Sequence, residues 1–200
     1  MYSGGIGMTV FENTGKENAA EALKIAILKA VEINAPAIVL PSGTGETGEL
    51  AVKMAGELGY HGKIVVVRTV SKAVLSGANK MTPEVKARLE AAGAAVVSCA
   101  HALSAGERGI SGKFKGVYPL ELMAATLRTF GQGMKVAFEC AVMALDTDAI
   151  PYGVPVVSLG GSSFGVDTAV IITPAYSADI LDTKIHEVLC KPGLYPQKTE

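Results

Sequence analysis

The sequence predicts an α/β/α sandwich on a mostly parallel sheet, and three observations lead there. Short apolar runs without polar alternation, such as Ala37-Ile38-Val39-Leu40 and Lys63-Ile64-Val65-Val66-Val67, are the pattern of strands buried on both faces. Segments with helical spacing of apolar residues separate those runs, and strand–helix alternation favours parallel strands covered by helices. The 200 residues, at about 150 per domain, suggest one domain. With 49% hydrophobic and 18% charged residues, a disordered chain is excluded, because the apolar content is enough to offset ordering entropy.

Thr14-Gly15-Lys16-Glu17 has the form of a capping box opening a helix of about 17 residues, with Leu23, Ile27, Ala30 and Val31 at helical spacing. Pro41 ends the first strand, and a Gly/Thr loop leads to a helix over about 47–58. The second strand is 63–67. Thr82-Pro83-Glu84 supplies an N-cap, a proline at the first helical position and an acid in the first turn, and that helix stops near Gly93. Ala95-Val96-Val97-Ser98 is the third strand. Residues 99–119 are glycine-containing and without periodicity, which suggests a functional loop, a lid or a wall. Helices over 119–130 and 134–148 flank Gly131-Gln132-Gly133. A fourth strand over 155–159 runs into a second glycine loop, and a fifth covers 169–173. The connection of about ten residues is too short for an ordinary crossover helix, so the fifth strand is expected to be antiparallel to its neighbour.

Charge and cysteine usage exclude several classes. Eighteen Lys+Arg against 19 Asp+Glu, with no basic block, give no support for nucleic-acid binding. Cys99, Cys140 and Cys190 are odd in number and widely spaced, which fits a reducing compartment. With no secretory signal pattern and no apolar run approaching 18 residues, a cytoplasmic protein without a membrane segment is expected. His61, His101 and His186 have no metal-ligand spacing, and no metal is expected.

The 23 glycines exceed the roughly 14 that average usage would give, and their positions matter. Ser42-Gly43-Thr44-Gly45-Glu46-Thr47-Gly48 follows a buried strand and enters a helix. Glycines admit close approach of a ligand, hydroxyls donate hydrogen bonds, and a helix N-terminus offers unpaired N–H groups. These are the parts of a phosphate cradle; the alternative is a plain strand-to-helix turn with Thr47 as N-cap. Gly43, Gly45 and Gly48 also match the dinucleotide fingerprint, and Arg68 twenty residues beyond would suit an NADP 2′-phosphate. The second loop carries Gly160, Gly161, Ser162, Ser163, Gly165, Asp167 and Thr168. If the two loops flank the point where strand order reverses, both face one crevice.

Other candidates have structural alternatives of comparable weight. His101 is either an acid/base group or a structural histidine, and Glu107-Arg108 either a ligand clamp or a solvated pair. Gly131, Gln132 and Gly133 open a helix with Lys135 one turn in, as a further anion site or a simple linker. Glu139, in an apolar stretch of that helix, faces the crevice or reaches solvent. His101 and Glu139 are the catalytic candidates, and no nucleophile–base spacing identifies a reaction.

An ordered set of motifs carries a resemblance: Gly15-Lys16-Glu17-Asn18; Ser42-Gly43 with Gly45-Glu46-Thr47; Ala100-His101-Ala102-Leu103-Ser104 ahead of Glu107-Arg108; Phe130-Gly131-Gln132-Gly133-Met134-Lys135-Val136; Asp167-Thr168-Ala169; and Glu187-Val188-Leu189-Cys190-Lys191-Pro192. From about Phe11 to Pro192 the chain resembles small stand-alone prokaryotic proteins with a pyruvate kinase C-terminal-domain-like fold. The resemblance implies a single domain over 1–200 with a core of about 11–192 and tails 1–8 and 193–200. It implies a three-layer sandwich whose five-stranded sheet has the order 3-2-1-4-5, numbered from Ala37, with strand 5 antiparallel. By the same likeness Ser42, Gly43, Thr44 and Thr47 hold a phosphate, and a phosphorylated flavin such as FMN is a candidate ligand. Thr69, which closes the second strand, joins the candidate binding residues, although Val70 stands where a histidine would be expected. The kinase barrel is absent from these residues, so pyruvate kinase chemistry is not expected. The leading expectation is thus a phosphorylated small molecule, FMN or another nucleotide or phosphometabolite, bound between the glycine loops. An NADP-dependent oxidoreductase and a ligand-free regulatory or structural subunit are the alternatives. The apolar excess at low charge suggests a homo-oligomer.

Overall fold

The structure, a computed structural model, describes residues 7–69, 79–162 and 164–193; Val70 and Ser163 lie outside the described residues. The strands are β1 (Thr9–Phe11), β2 (Ala37–Pro41), β3 (Lys63–Val67), β4 (Ala95–Val97), β5 (Val156–Gly160), β6 (Thr168–Thr173) and β7 (Lys184–Pro192). The helices are α1 (Ala19–Glu32), α2 (Glu46–Glu57), α3 (Pro83–Ala91), α4 (Ala105–Phe114), α5 (Pro119–Arg128) and α6 (Gln132–Asp146). The protein is an α/β protein with one mixed sheet of order β1-β7-β6-β5-β2-β3-β4.

The expected five-stranded sheet of order 3-2-1-4-5 is corrected to seven strands. The additional pair, β1 and β7, lies beyond β6, with β1 parallel to β7 and β7 antiparallel to β6. Both escaped for physical reasons. β1 has only three residues, too few for a period to register. β7 carries Lys184, His186, Glu187 and Lys191 among half-buried positions, which masks its alternation. β6 is antiparallel to β5, as the short connection requires, with Val157 opposite Ile171 and Gly160 opposite Thr168.

Alternation along the buried strands divides the core in two. Ile38, Leu40, Ile64, Val66, Val157 and Leu159 pack with α1, α2 and Leu89 of α3. Ala37, Val39, Val65, Val67, Val156 and Val170 face α6 and Ala124 of α5 on the other side. The helix α6 is enclosed along most of its length, from Gly133 to Leu145 apart from Val136, and this explains its nearly continuous apolar sequence.

Several local readings change. The predicted capping box does not form: Lys16–Asn18 is a 3-10 turn, and α1 starts at Ala19 with no side-chain cap. The unperiodic stretch 99–119 contains α4, whose Gly106, Gly109 and Gly112 lower helix propensity and hide the pattern. The Thr82 cap holds, its side chain accepting from the Val85 N–H at 3.4 Å. No helix among the described residues is long and apolar enough to cross a membrane.

Candidate functional site

The strand order places the site. The chain runs outward from β2 to β3 and β4, then returns to lay β5 on the other side of β2, so the order reverses between β2 and β5. The loops leaving the carboxyl ends of these two strands diverge there and leave a crevice. A cavity of about 780 Å³ occupies it, with Ser42, Gly43, Thr44, Glu46 and Thr47 on one side and Gly161, Ser162, Phe164 and Gly165 on the other.

The first loop is shaped by internal bonds. The Ser42 Oγ, almost fully buried, accepts from the Gly48 N–H at 3.2 Å and so occupies one free amide of α2's first turn. Gly45 is the N-cap of α2, not Thr47, with φ of 104°. A Cβ on Gly45 would lie 2.2 Å from the Val85 side chain, so this glycine serves backbone shape and packing rather than ligand contact. Gly45 has no side chain to add a second cap, and the Glu46 and Thr47 amides have no intrachain partner among the described residues. The Glu46 carboxylate is drawn away toward Lys16, 2.9 Å off, in an exposed pair at the cavity rim.

A second helix points its N-terminus at the same place. α6 begins after Gly131, which has φ of 118° and no capping side chain, and Gln132 lines the cavity. Its approach depends on glycine. A Cβ on Gly133 would sit 2.1 Å from Thr168 Oγ1, and one on Gly160 would sit 2.0 Å from the Gly133 carbonyl. These glycines let α6 settle against β5 and β6; they line neither cavity.

Asp167 and Thr168 are likewise occupied. Asp167 is fully buried, and its Oδ2 accepts from the Gly15 and Ser162 N–H groups, each at 3.2 Å, while its Oδ1 accepts from Thr168 Oγ1 at 3.0 Å. One carboxylate thus ties the segment before α1 to the glycine loop after β5. That holds the far wall in place, a positioning role rather than a contact with a ligand.

A smaller cavity of about 290 Å³ adjoins the first and shares Ser42, Gly43, Thr69, His101 and Gln132 with it. Here His101 and Glu139 meet, 38 residues apart in sequence. His101 Nδ1 lies 3.3 Å from Glu139 Oε2, the Leu103 N–H donates to Oε1 at 3.1 Å, and Lys135 donates to Oε2 from one turn earlier on α6. Glu139 is only 2% exposed and Lys135 only 6%. Burial alone would push the Glu139 carboxyl up, but the hydrogen bonds from His101 and Lys135 outweigh it and hold it at about 2. A histidine held at Nδ1 by an ionised carboxylate has its ring oriented and keeps Nε2 for the cavity, an arrangement suited to proton exchange with a bound molecule.

Arg68, Arg108 and Lys135 line this smaller cavity, and Glu107 turns away to cap α5 by accepting from the Glu121 N–H at 2.9 Å. His101, Ser104 and Arg108 therefore contribute to the wall of the smaller cavity. Sequence reasoning missed Lys16, Lys80, Phe164 and Arg128, which also line the cavities. The one usable signal was for Arg128, three residues before the Gly131-Gln132-Gly133 helix start. The cysteines are unsuited to nucleophilic work at neutral pH, since burial pushes the Cys99 and Cys140 thiols up and the Cys190 thiol to about 12. Among the described residues no three His, Cys, Asp or Glu side chains gather as a metal site. Compared with protein-family models, the chain shows no match.

Proposed function

We propose that the protein binds a small molecule through its phosphate group, in the crevice between the loops after β2 and β5. The observation that carries this reading is that the first turns of α2 and α6, each with amides left unpaired, border one cavity of about 780 Å³ through Glu46, Thr47 and Gln132. Unpaired amides and two positive dipole ends attract an anion without any lysine in the loop, which suits a chain of net charge -1. The volume falls within the usual range of about 300–1,000 Å³ for small-molecule sites and accommodates a mononucleotide. FMN, another nucleotide or a phosphometabolite are the candidates, and the resemblance to pyruvate kinase C-terminal domains supports a sugar-phosphate or nucleotide phosphate at Ser42–Thr47. The exposed Ile110, Phe114, Val117 and Leu122 of the α4–α5 region support a homo-oligomer.

Gly43 tests the reading. A Cβ there would lie 3.1 Å from Thr69 Oγ1 inside the cavity wall, and Gly43 has no positive φ. Gly43→Val should therefore fold, while its methyl groups cover the loop amides. Wild-type protein purified without added ligand is expected to be yellow or to release a phosphorylated compound in native mass spectrometry. The variant should lose that compound and bind phosphate esters at least tenfold more weakly, with its unfolding midpoint little changed. Undiminished binding by Gly43→Val would overturn the proposal.

Arg68 gives an NADP-dependent oxidoreductase one specific support, since it lines the smaller cavity at the end of β3. NADPH fluorescence titration separates the readings: saturable binding lost in Arg68→Glu would favour the oxidoreductase.

A further inference from the structure

The ligand-facing surface has a second cationic end that the phosphate cradle does not use. Arg68 follows β3, Arg108 lies on α4 and Arg128 is the last residue of α5, yet all three line the cavity of about 290 Å³. Its one carboxylate, Glu139, is already engaged by Lys135, His101 and the Leu103 N–H. Among the described residues no carboxylate pairs with Arg68, Arg108 or Arg128. The Arg68 Nε donates to Ser98 Oγ, and the Arg128 Nε donates to Gln132 Oε1 at 2.8 Å, which holds that guanidinium at the mouth of α6. Three arginines bordering one hollow, two of them exposed and none paired with a carboxylate, make it a place that draws an anion. The hollow opens into the phosphate crevice along Ser42, Gly43, Thr69, His101 and Gln132, so one molecule can reach both ends.

We infer that the natural ligand carries two anionic groups: a phosphate on the α2 N-terminus and a carboxylate or second phosphate among Arg68, Arg108 and Arg128. His101 then lies beside the part that joins them. This inference rests on the phosphate reading above and narrows it to a class of ligand. Guanidinium forks bind carboxylate and phosphate alike, and each charge-assisted pair adds about tenfold or more to affinity.

Calorimetric titrations with three probe series of three to eight carbons test it: alkyl phosphates, ω-carboxyalkyl phosphates and alkanediol bisphosphates, at constant ionic strength. At the best length, one or both dianionic series should bind at least tenfold tighter than the alkyl phosphate of that length. The series that gains identifies the second group. Arg108→Gln with Arg128→Gln should reduce the gain, taken against the alkyl phosphate in the same variant, to under twofold. Lys113→Gln with Lys115→Gln removes the same net charge outside both cavities and should leave the gain intact. Dianions no tighter than monoanions at any length, or a gain indifferent to Arg108 and Arg128, would overturn the inference and leave the phosphate site standing. Alkyl phosphates that bind equally to wild type and Gly43→Val would overturn the phosphate reading itself.

Discussion

Lys135→Met is expected to cost about 3–5 kcal/mol of stability at neutral pH, because it strands the buried Glu139 carboxylate. The loss is not mainly that of the ion pair itself. A paired buried charge roughly balances desolvation against attraction, whereas an unpaired one keeps the whole desolvation cost. Adding Glu139→Gln should recover much of the loss, since the amide oxygen can still accept from the Leu103 N–H. Thermal unfolding of the two single variants and the double variant measures this coupling, at about 2–4 °C of midpoint per kcal/mol in a chain of this size. The sign of the pH dependence follows from the Glu139 carboxyl being held at about 2, below its unfolded value near 4.5. Its stabilising contribution is complete above about pH 4.5 and is lost as the pH falls toward 2. Lys135→Met should behave in the opposite sense. Burial then acts with one opponent fewer, the carboxyl protonates more readily, and the deficit against wild type shrinks on acidification. Equal unfolding free energies for wild type and Lys135→Met would remove the buried pair from any account of this site.

Gly160→Ala is expected to be at least as damaging, by about 3 kcal/mol or more, for a steric reason. The added Cβ would meet the Gly133 carbonyl at 2.0 Å and the Ala137 N at 2.6 Å. Both are backbone atoms of α6, which cannot swing aside as a side chain can. The helix would have to lift off the sheet, opening its contact with Val156 and Val170 and displacing the α6 N-terminus from the crevice. Gly56→Ala is the control. Gly56 lies near the end of α2 with open space where a Cβ would go and without positive φ, so the change should be neutral or stabilising by about 0.5–1 kcal/mol. Circular dichroism melts of the pair suffice, and a Gly160→Ala protein as stable as wild type would mean that α6 does not seat as closely as described.

How much of this was legible in the sequence depends on the range of the signal. Runs such as 37–40 and 63–67 announce themselves because strands buried on both faces need apolar residues on both, a local rule. The two glycine loops were found because a turn between strand and helix concentrates glycine and hydroxyl residues locally. The tasks of the individual glycines were not legible. Gly45, Gly133 and Gly160 look the same as Gly43 in a count, yet packing against Val85, Thr168 and α6 explains the first three. Asp167 read as a ligand residue, but its oxygens are taken by Gly15, Ser162 and Thr168, one of them 152 residues away. The meeting of His101 with Glu139 was likewise a tertiary fact, set by α6 crossing the sheet between β2 and β5. Strands β1 and β7 were missed because a three-residue strand has no period and charged residues interrupt the longer one.

The most direct test is a ¹H–¹⁵N correlation spectrum of the protein titrated with inorganic phosphate. The central claim is that a phosphate binds to backbone amides at the start of α2, beside the N-terminus of α6. The expected result is saturable shifts in the amides of Gly43, Thr44, Gly45, Glu46 and Thr47, with Gln132 following at the same midpoint and all of them silent in Gly43→Val. Shifts confined to surface lysine neighbourhoods, or none in the Ser42–Thr47 loop at saturating phosphate, would contradict it.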